Sequence, residues 1–501
     1  MLIQSGIVRS PLQHNHVSLA HSLSFPAGFP SSAFLRTVRA RKPPMVTVRC
    51  SISQVHSYGT VDYEGRPPIK WNAVYRRISM MEDPEMGSAT VLNQCEKEGK
   101  RLTKWELCRV VRQLRKFRRY KPALEVYEWM NNKKERFRTS TTDTAIQLDL
   151  IAKVQGIISA ENFFLKLPDT LKDNRTYGAL LNAYVRAQMR EQAESLMEKM
   201  RDRGYARNAL PFNVIMTLYL NLKDYDKVDL VVSQMEEENI PLDIYSYNIW
   251  LSSCGYQGSV GKMEHVFLQM KLDRTINPNW TTFSTMASMY IKLGQMEKAE
   301  DCLKKVETRI TGRNRISYHY LISLYGGVGL KEEVYRIWNI YKSIFPSISN
   351  LGYHTMISSL IRLGDIRGAE QIFEEWLLVK STYDPRIVNL LMGWYVREGL
   401  FEKAKGLFDE MVEGGGKANS STWEILAEGH IRGKRISEAL SCLKEAVLVE
   451  RSKTWKPKPA NICSILKLCE QEGDSGSKDY LVGLLRQTGF LDDEAYEPYI
   501  L

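Results

Sequence analysis

Tyr177, Phe212 and Tyr247 lie 35 residues apart, Phe283, Tyr318 and Tyr353 repeat that spacing, and Trp423 follows two periods later. Ala369, Ala404 and Ala439 keep the same interval, as do Met200, Met235 and Met270. Three residue types at three different places in one period make a tandem repeat. A period of this length is the signature of helical hairpins that cannot bury their apolar faces alone and so stack on one another. The expected fold is therefore all-α: an α-solenoid of stacked helix-turn-helix units, with one long surface and no single pocket by default.

Charge says less than its total suggests. The formal net charge is +11, but residues 1–61 hold Arg9, Arg36, Arg39, Arg41, Arg49 and Lys42 and no acid. Without them the balance is 63 basic to 58 acidic residues, so position within the repeat matters more than sum. No stretch approaches the ~18 consecutive apolar residues of a membrane-spanning helix. The cysteines at 50, 95, 108, 254, 302, 442, 463 and 469 form no C-x-x-C, which argues against a zinc site or a disulfide framework. They read as small buried residues of a reducing compartment.

Residues 1–50 are Ser-rich, acid-free, dotted with Arg and interrupted by Pro26, Pro30, Pro43 and Pro44. This is the composition of an organellar transit peptide. Val48-Arg49-Cys50-Ser51 resembles a plastid processing site, and no Arg-rich amphipathic helix opens the chain, which favours the chloroplast over the mitochondrion. Residues 51–103 read as a linker with short helices near Trp71 to Met81 and Ala89 to Gly99.

Aligning the columns gives units at 174–208, 209–243, 244–279, 280–314, 315–349, 350–384, 385–419 and 420–458. Weaker copies at 104–138, 139–173 and 459–493 complete an array of about ten repeats over 104–493, with a tail at 494–501. Within 385–419, Leu390, Leu391, Trp394 and Tyr395 recur at helical spacing and Gly399 ends that helix; Ala404, Leu407, Phe408 and Met411 form the stripe of a second. The alanine column, including Ala123, Ala193 and Ala299, reads as core, because two helices approach closely only over a small side chain.

Ser246-Tyr247-Asn248, Ile291 to Glu300 (IKLGQMEKAE) and Val396 to Ala404 (VREGLFEKA) carry a likeness. A 35-residue unit with Tyr-Asn near its start, basic-x-Gly closing its first helix, Ala in its second and Met before a Gly-containing loop resembles the pentatricopeptide repeat, in its P-class, plant organellar form. The tetratricopeptide repeat, with a period of 34, would drift by about seven residues between Tyr177 and Trp423. The resemblance implies a right-handed superhelix that binds single-stranded RNA, one nucleotide per repeat, chosen mainly by the fifth and last residues of each unit.

Carried onto this sequence, Asn213 with Asp243 looks like a uridine reader. Asn248 with Asn279, and Asn389 with Asn419, look like pyrimidine readers, and Ser284 with Asn314 like an adenine reader. Gly178 with Asn208, His319 with Ser349, His354 with Asp384 and Glu424 with Lys458 depart from the pattern, although His319 and His354 would stack on bases. The reading, 5′ to 3′, is unknown-U-pyrimidine-A-unknown-unknown-pyrimidine-unknown. Leu210, Ile316 and Leu351, second in their units, would flank bases, while Arg175 and Arg386 at the same place would bond phosphate. Lys116, Arg186, Lys292, Arg362, Arg397 and Arg432 all stand thirteenth, where they would form a cationic stripe toward the phosphates. Six such contacts imply a slope of log affinity against log salt of about −4. Capping or solvation is the alternative for each polar residue, and a complement to the helix dipole for each base.

Catalysis has no visible equipment. A deaminase would need H-x-E followed by C-x-x-C, and neither occurs. Asp492, Asp493, Glu494 and Glu497 are expected to be a solvated cap, and Gly414-Gly415-Gly416 lacks the Lys-Ser/Thr of a phosphate-cradling loop. The expectation is a binder without cofactor or metal, whose partner is an organellar RNA or, alternatively, a protein held on the same surface.

Overall fold

The computed structural model describes residues 69–81, 87–311, 314–380, 383–449 and 455–488; the presequence reading at 1–50 and the 494–501 tail lie outside them. Among the described residues the regular structure is helical throughout, and no helix is long and apolar enough to cross a membrane. The chain divides into two units, residues 1–242 and 243–501.

In the first unit, helices pair as Trp71–Ser79 with Gly87–Lys97, Lys104–Lys116 with Tyr120–Asn131, Thr141–Val154 with Ile157–Leu165, Asn174–Arg186 with Arg190–Asp202, and Ala209–Asn221 with Tyr225–Glu237. Each first helix packs on its own partner; Trp71–Ser79 also packs on Lys104–Lys116, Thr141–Val154 on Asn174–Arg186, and Asn174–Arg186 on Ala209–Asn221, while between Lys104–Lys116 and Thr141–Val154 the main packing runs through Tyr120–Asn131. The stretch expected to be a linker with short helices has those two helices, packed on each other as a further hairpin. Val74 and Ile78 are fully buried there, Glu106 accepts the backbone N–H of Trp71, and Glu125 accepts that of Ser88 at 2.6 Å.

The second unit repeats the plan from Ile244–Tyr256 with Val260–Leu272 through Pro459–Glu472 with Ser475–Gln487. First helices again contact first helices, so each unit is an all-α solenoid of stacked hairpins. The alanine column explains the close pairing: Ala123, Ala193, Ala299, Ala369, Ala404 and Ala439 are all fully buried. Met200, Met235 and Met270 are buried as well, each within its own unit, and flexible thioethers fill what the alanines leave.

The turn inside the hairpin has a fixed geometry. The fifteenth residue is left-handed at Arg118, Gln188, Lys223, Gly258, Gly294, Gly329, Gly364, Gly399, Lys434 and Gly473. A left-handed residue just past a helix end satisfies the last carbonyls, and glycine adopts it without the steric cost of a Cβ. Four of these ten positions carry a long side chain instead.

Candidate nucleic-acid interface

The last residue of a unit is the N-cap of the next first helix. Asn208 accepts from the N–H of Leu210 at 3.1 Å, Asn279 from Thr281 at 2.8 Å, Asn314 from Ile316 at 3.1 Å and Asn419 from Thr422 at 2.8 Å. Asp243 forms a capping box with Ser246, and Ser349 and Asp384 cap likewise. Satisfying these orphan N–H groups spends the side-chain oxygen. It leaves the amide nitrogen of each asparagine as the group that can meet a ligand. Lys458 has no capping oxygen; its backbone N–H instead donates to Glu424 at 2.5 Å.

The fifth residues lie on the first helices, and in the second unit Asn248, Asn389 and Glu424 meet the start of the following one. Asn213, Asn248, Ser284, His319 and Glu424 are buried; His354 and Asn389 are half-buried. Asn248 Nδ2 donates to Thr281 Oγ1 at 3.1 Å while its Oδ1 has no partner. Ser284 Oγ has none, and His319 meets Tyr341 Oη at 3.0 Å through Nε2 but leaves Nδ1 without one. Three consecutive hairpins thus hold an unpaired buried polar atom at one register. Such atoms are costly and uncommon in folded proteins. Burial and the nearby Arg315 push the His319 imidazole down to about 4, so the ring is neutral at pH 7. Burial raises the Glu424 carboxyl, against its bond from Lys458. Gly178 faces open space where a side chain would go.

Asn389 and Asn419 are joined directly: Asn389 Nδ2 donates to Asn419 Oδ1 at 3.2 Å, and Thr422 Oγ1 donates to Asn389 Oδ1 at 2.9 Å. Sequence reasoning missed Thr281 and Thr422. Their signal is a hydroxyl second or third in the following unit, one seam away from an asparagine.

Leu210, Ile316 and Leu351 are exposed, as base-flanking residues would be. The two arginines at that place are occupied. Arg175 donates to Thr141 and Thr142, and Arg386 forms a two-point pair with Asp384 at 2.6 and 2.9 Å. A free phosphate ligand is therefore not what the fold makes of Arg386, and the second oxygen of Asp384 is taken with it.

The six cations expected along the phosphates are also partly engaged. Arg186 pairs with Asp149 at 2.7 Å, Arg432 reaches Glu428 at 3.5 Å and the carbonyl of Arg397 at 3.1 Å, and Arg362 donates to the carbonyl of Ser323 at 3.2 Å. Lys292 lies 3.9 Å from the Tyr256 ring centroid and Lys116 6.0 Å from that of Phe117. Among these partners the Arg397 carbonyl is the first-helix C-terminus of the preceding hairpin, where a base complements the carbonyl end. Arg397 has no side-chain partner among the described residues.

A pentatricopeptide repeat domain model matches residues 172–221 and 230–293, and the single-repeat model matches 281–309, 353–378 and 386–416. A pentatricopeptide repeat-containing protein of Arabidopsis thaliana is 60% identical over 496 residues, covering 99% of this chain and 94% of its own. The chain belongs to the pentatricopeptide repeat family. A second Arabidopsis thaliana pentatricopeptide repeat-containing protein, named as mitochondrial, is 34% identical over 429 residues, or 85% of each chain. Among solved structures, the pentatricopeptide repeat protein PPR10 in complex with an 18-nt psaJ RNA element is 18% identical, with a TM-score of 0.36. PPR10 has also been solved as the protein from maize. The match to the complex covers 76% of this chain and 64% of PPR10, a little under two thirds of that protein.

Proposed function

We propose that this pentatricopeptide repeat protein is a sequence-selective binder of single-stranded RNA that acts on an organellar transcript by occupancy. The observation that carries the reading is the run of Asn248 Oδ1, Ser284 Oγ and His319 Nδ1, unpaired and buried at the fifth place of three consecutive hairpins. A base edge supplies the donors and acceptors such atoms lack. The capping geometry supports a division of labour, in which the last residue's oxygen holds the helix and its amide nitrogen, where it is asparagine, faces the base. A strand so held cannot pair with itself or be degraded from that end, which would serve stability, processing or translation without chemistry on the RNA. The proposed compartment is the plastid, from the presequence composition, with the mitochondrion named by relatives as the alternative.

Selection from a random RNA pool tests this. Wild type should enrich a motif with one contiguous specified stretch, and Asn248→Ala should relax a single nucleotide in it while the rest persists. Enrichment that Asn248→Ala leaves untouched would remove the pairing of residue to base. A second reading, a protein-binding scaffold, is favoured by the internal closure of Asn389 on Asn419 and of Glu424 on Lys458. It predicts no RNA enrichment and a stable protein complex from organelle extract.

A further inference from the structure

The first helix of the 104–138 hairpin differs from its successors in what it shows to solvent. Leu107, Val110, Val111 and Leu114 are its buried side. Trp105, Arg109, Arg112 and Lys116 are all exposed, and their spacing of four, three and four residues sets them in one stripe about 16 Å long. Trp105 is 60% exposed, a large cost for an aromatic surface that nothing covers. The guanidinium of Arg109 lies 4.5 Å from its ring centroid and 5.5 Å from that of Trp71. Phe117, 55% exposed, caps the helix just after Lys116, with Tyr75 of the preceding hairpin 6.3 Å away between centroids.

Between Lys100 and Lys121 the chain has ten basic residues and a single acid, Glu106, which is turned to the backbone N–H of Trp71. Acids of the neighbouring first helix neutralise two of the ten: Asp143 pairs with Lys104 at 2.6 Å and Asp149 with Arg115 at 3.2 Å. Arg109, Arg112 and Lys116 pair with no acid among the described residues. The equivalent stripe two hairpins on reads Arg175, Ala179, Asn182 and Arg186, with Arg186 held by Asp149. On the next it reads Leu210, Val214, Thr217 and Asn221, without a charge.

Resting on the RNA-binding reading, we infer that this face is a sequence-indifferent anchor for single-stranded RNA, with Trp105 stacking one unpaired base and Arg109, Arg112 and Lys116 neutralising phosphates beside it. Cations interleaved with exposed aromatic planes match a strand that offers phosphates and π-faces alternately. A duplex would match the charge and leave Trp105 idle. The stripe carries no amide or hydroxyl of the kind that fills the reader positions, and cations set on phosphates hold any base alike, so the site adds affinity and not selectivity. It stands on the same kind of helix as the readers, within the first unit, and adds contacts to a strand without adding to the recognised word.

The test uses the full chain and two probes, a 20-nt oligouridylate and the RNA enriched by selection. Arg109→Gln/Arg112→Gln/Lys116→Gln should make the slope of log affinity against log salt shallower by about 2 on both probes. Trp105→Ala should weaken both by roughly tenfold, and Trp105→Phe should restore most of it. The motif enriched by each variant should equal that of wild type. Circular dichroism melting curves should be unchanged, as all four side chains are exposed. Wild-type slope and affinity in these variants, with selective binding intact, would overturn the anchor while leaving the readers standing; absence of RNA binding by wild type would overturn both. Loss of binding to phosphatidylserine vesicles with RNA affinity unaltered would overturn it in favour of a membrane surface.

Discussion

The side-chain amide of Asn389 donates to the side-chain oxygen of Asn419 at 3.2 Å, linking the fifth and last residues of one repeat. The Asn419 side chain uses only its oxygen within the protein, toward Asn389 Nδ2 and the N–H of Thr422. A carboxylate can accept both. Asn419→Asp should therefore leave the melting temperature within about 1 °C while, under the proposed role, replacing a base-facing N–H by an acceptor. Selection should then shift one nucleotide toward uridine, the base expected from Asn213 with Asp243. Asn419→Ala should cost about 1 kcal/mol through the lost cap. A shift of base with Asn419→Ala but none with Asn419→Asp would contradict this assignment.

His319 makes stability pH-dependent. Burial and Arg315 lower its pKa to about 4, from 6.5 when unfolded, so the folded state holds it neutral. Its contribution is complete above pH 6.5 and is lost as pH falls from 6.5 toward 4, an effect of about 3 kcal/mol at full extent. Urea unfolding across that range should show the loss in wild type and a flatter profile in His319→Asn. Parallel profiles would show that the ring is not held neutral.

Asp149 gathers three cations, Arg115 at 3.2 Å, Lys153 at 2.8 Å and Arg186 at 2.7 Å. Asp149→Asn leaves them facing one another and should destabilise the protein by about 1–3 kcal/mol. Under the proposed RNA-binding role it also frees Arg115 and Arg186. The salt dependence of RNA affinity should then steepen by about 1 in slope, a rise in binding beside a fall in stability. A fall in both would mean these arginines do not reach phosphate.

Lys223 is exposed and left-handed, with φ 60°, at the turn where other hairpins use glycine. Lys223→Gly should stabilise by about 0.5–1 kcal/mol, because the relief of the Cβ clash exceeds glycine's extra unfolded-state entropy. Chemical denaturation gives the number, and no gain would mean the turn carries no strain.

The period, the helical class and the buried alanines were legible because they depend on one repeating interval and on side-chain size. The pairing of Asn248 with Thr281, and of Asn389 with Thr422, was not, since it depends on the width of the seam between hairpins, which no interval encodes. The capping oxygens of Asn279 and Asn314 were visible as a possibility, and geometry decided their use. Trp105, Arg109 and Arg112 escaped because the columns followed were those shared between repeats, and this stripe belongs to one helix alone. Residues 69–101 lack the glycine and alanine columns, so their stacking rested on Val74, Ile78 and Leu92, too few to show a period.

Closed seams have a mechanical corollary for the second unit. Asn248, Ser284 and His319 are shut in, so a nucleobase reaches them only by wedging adjacent hairpins apart. A wedge on one side of a hairpin already shifts it for the wedge on the other side. Under the proposed role, insertion is then cooperative along a run of matched nucleotides, and a mismatch in the middle costs more than one at either end.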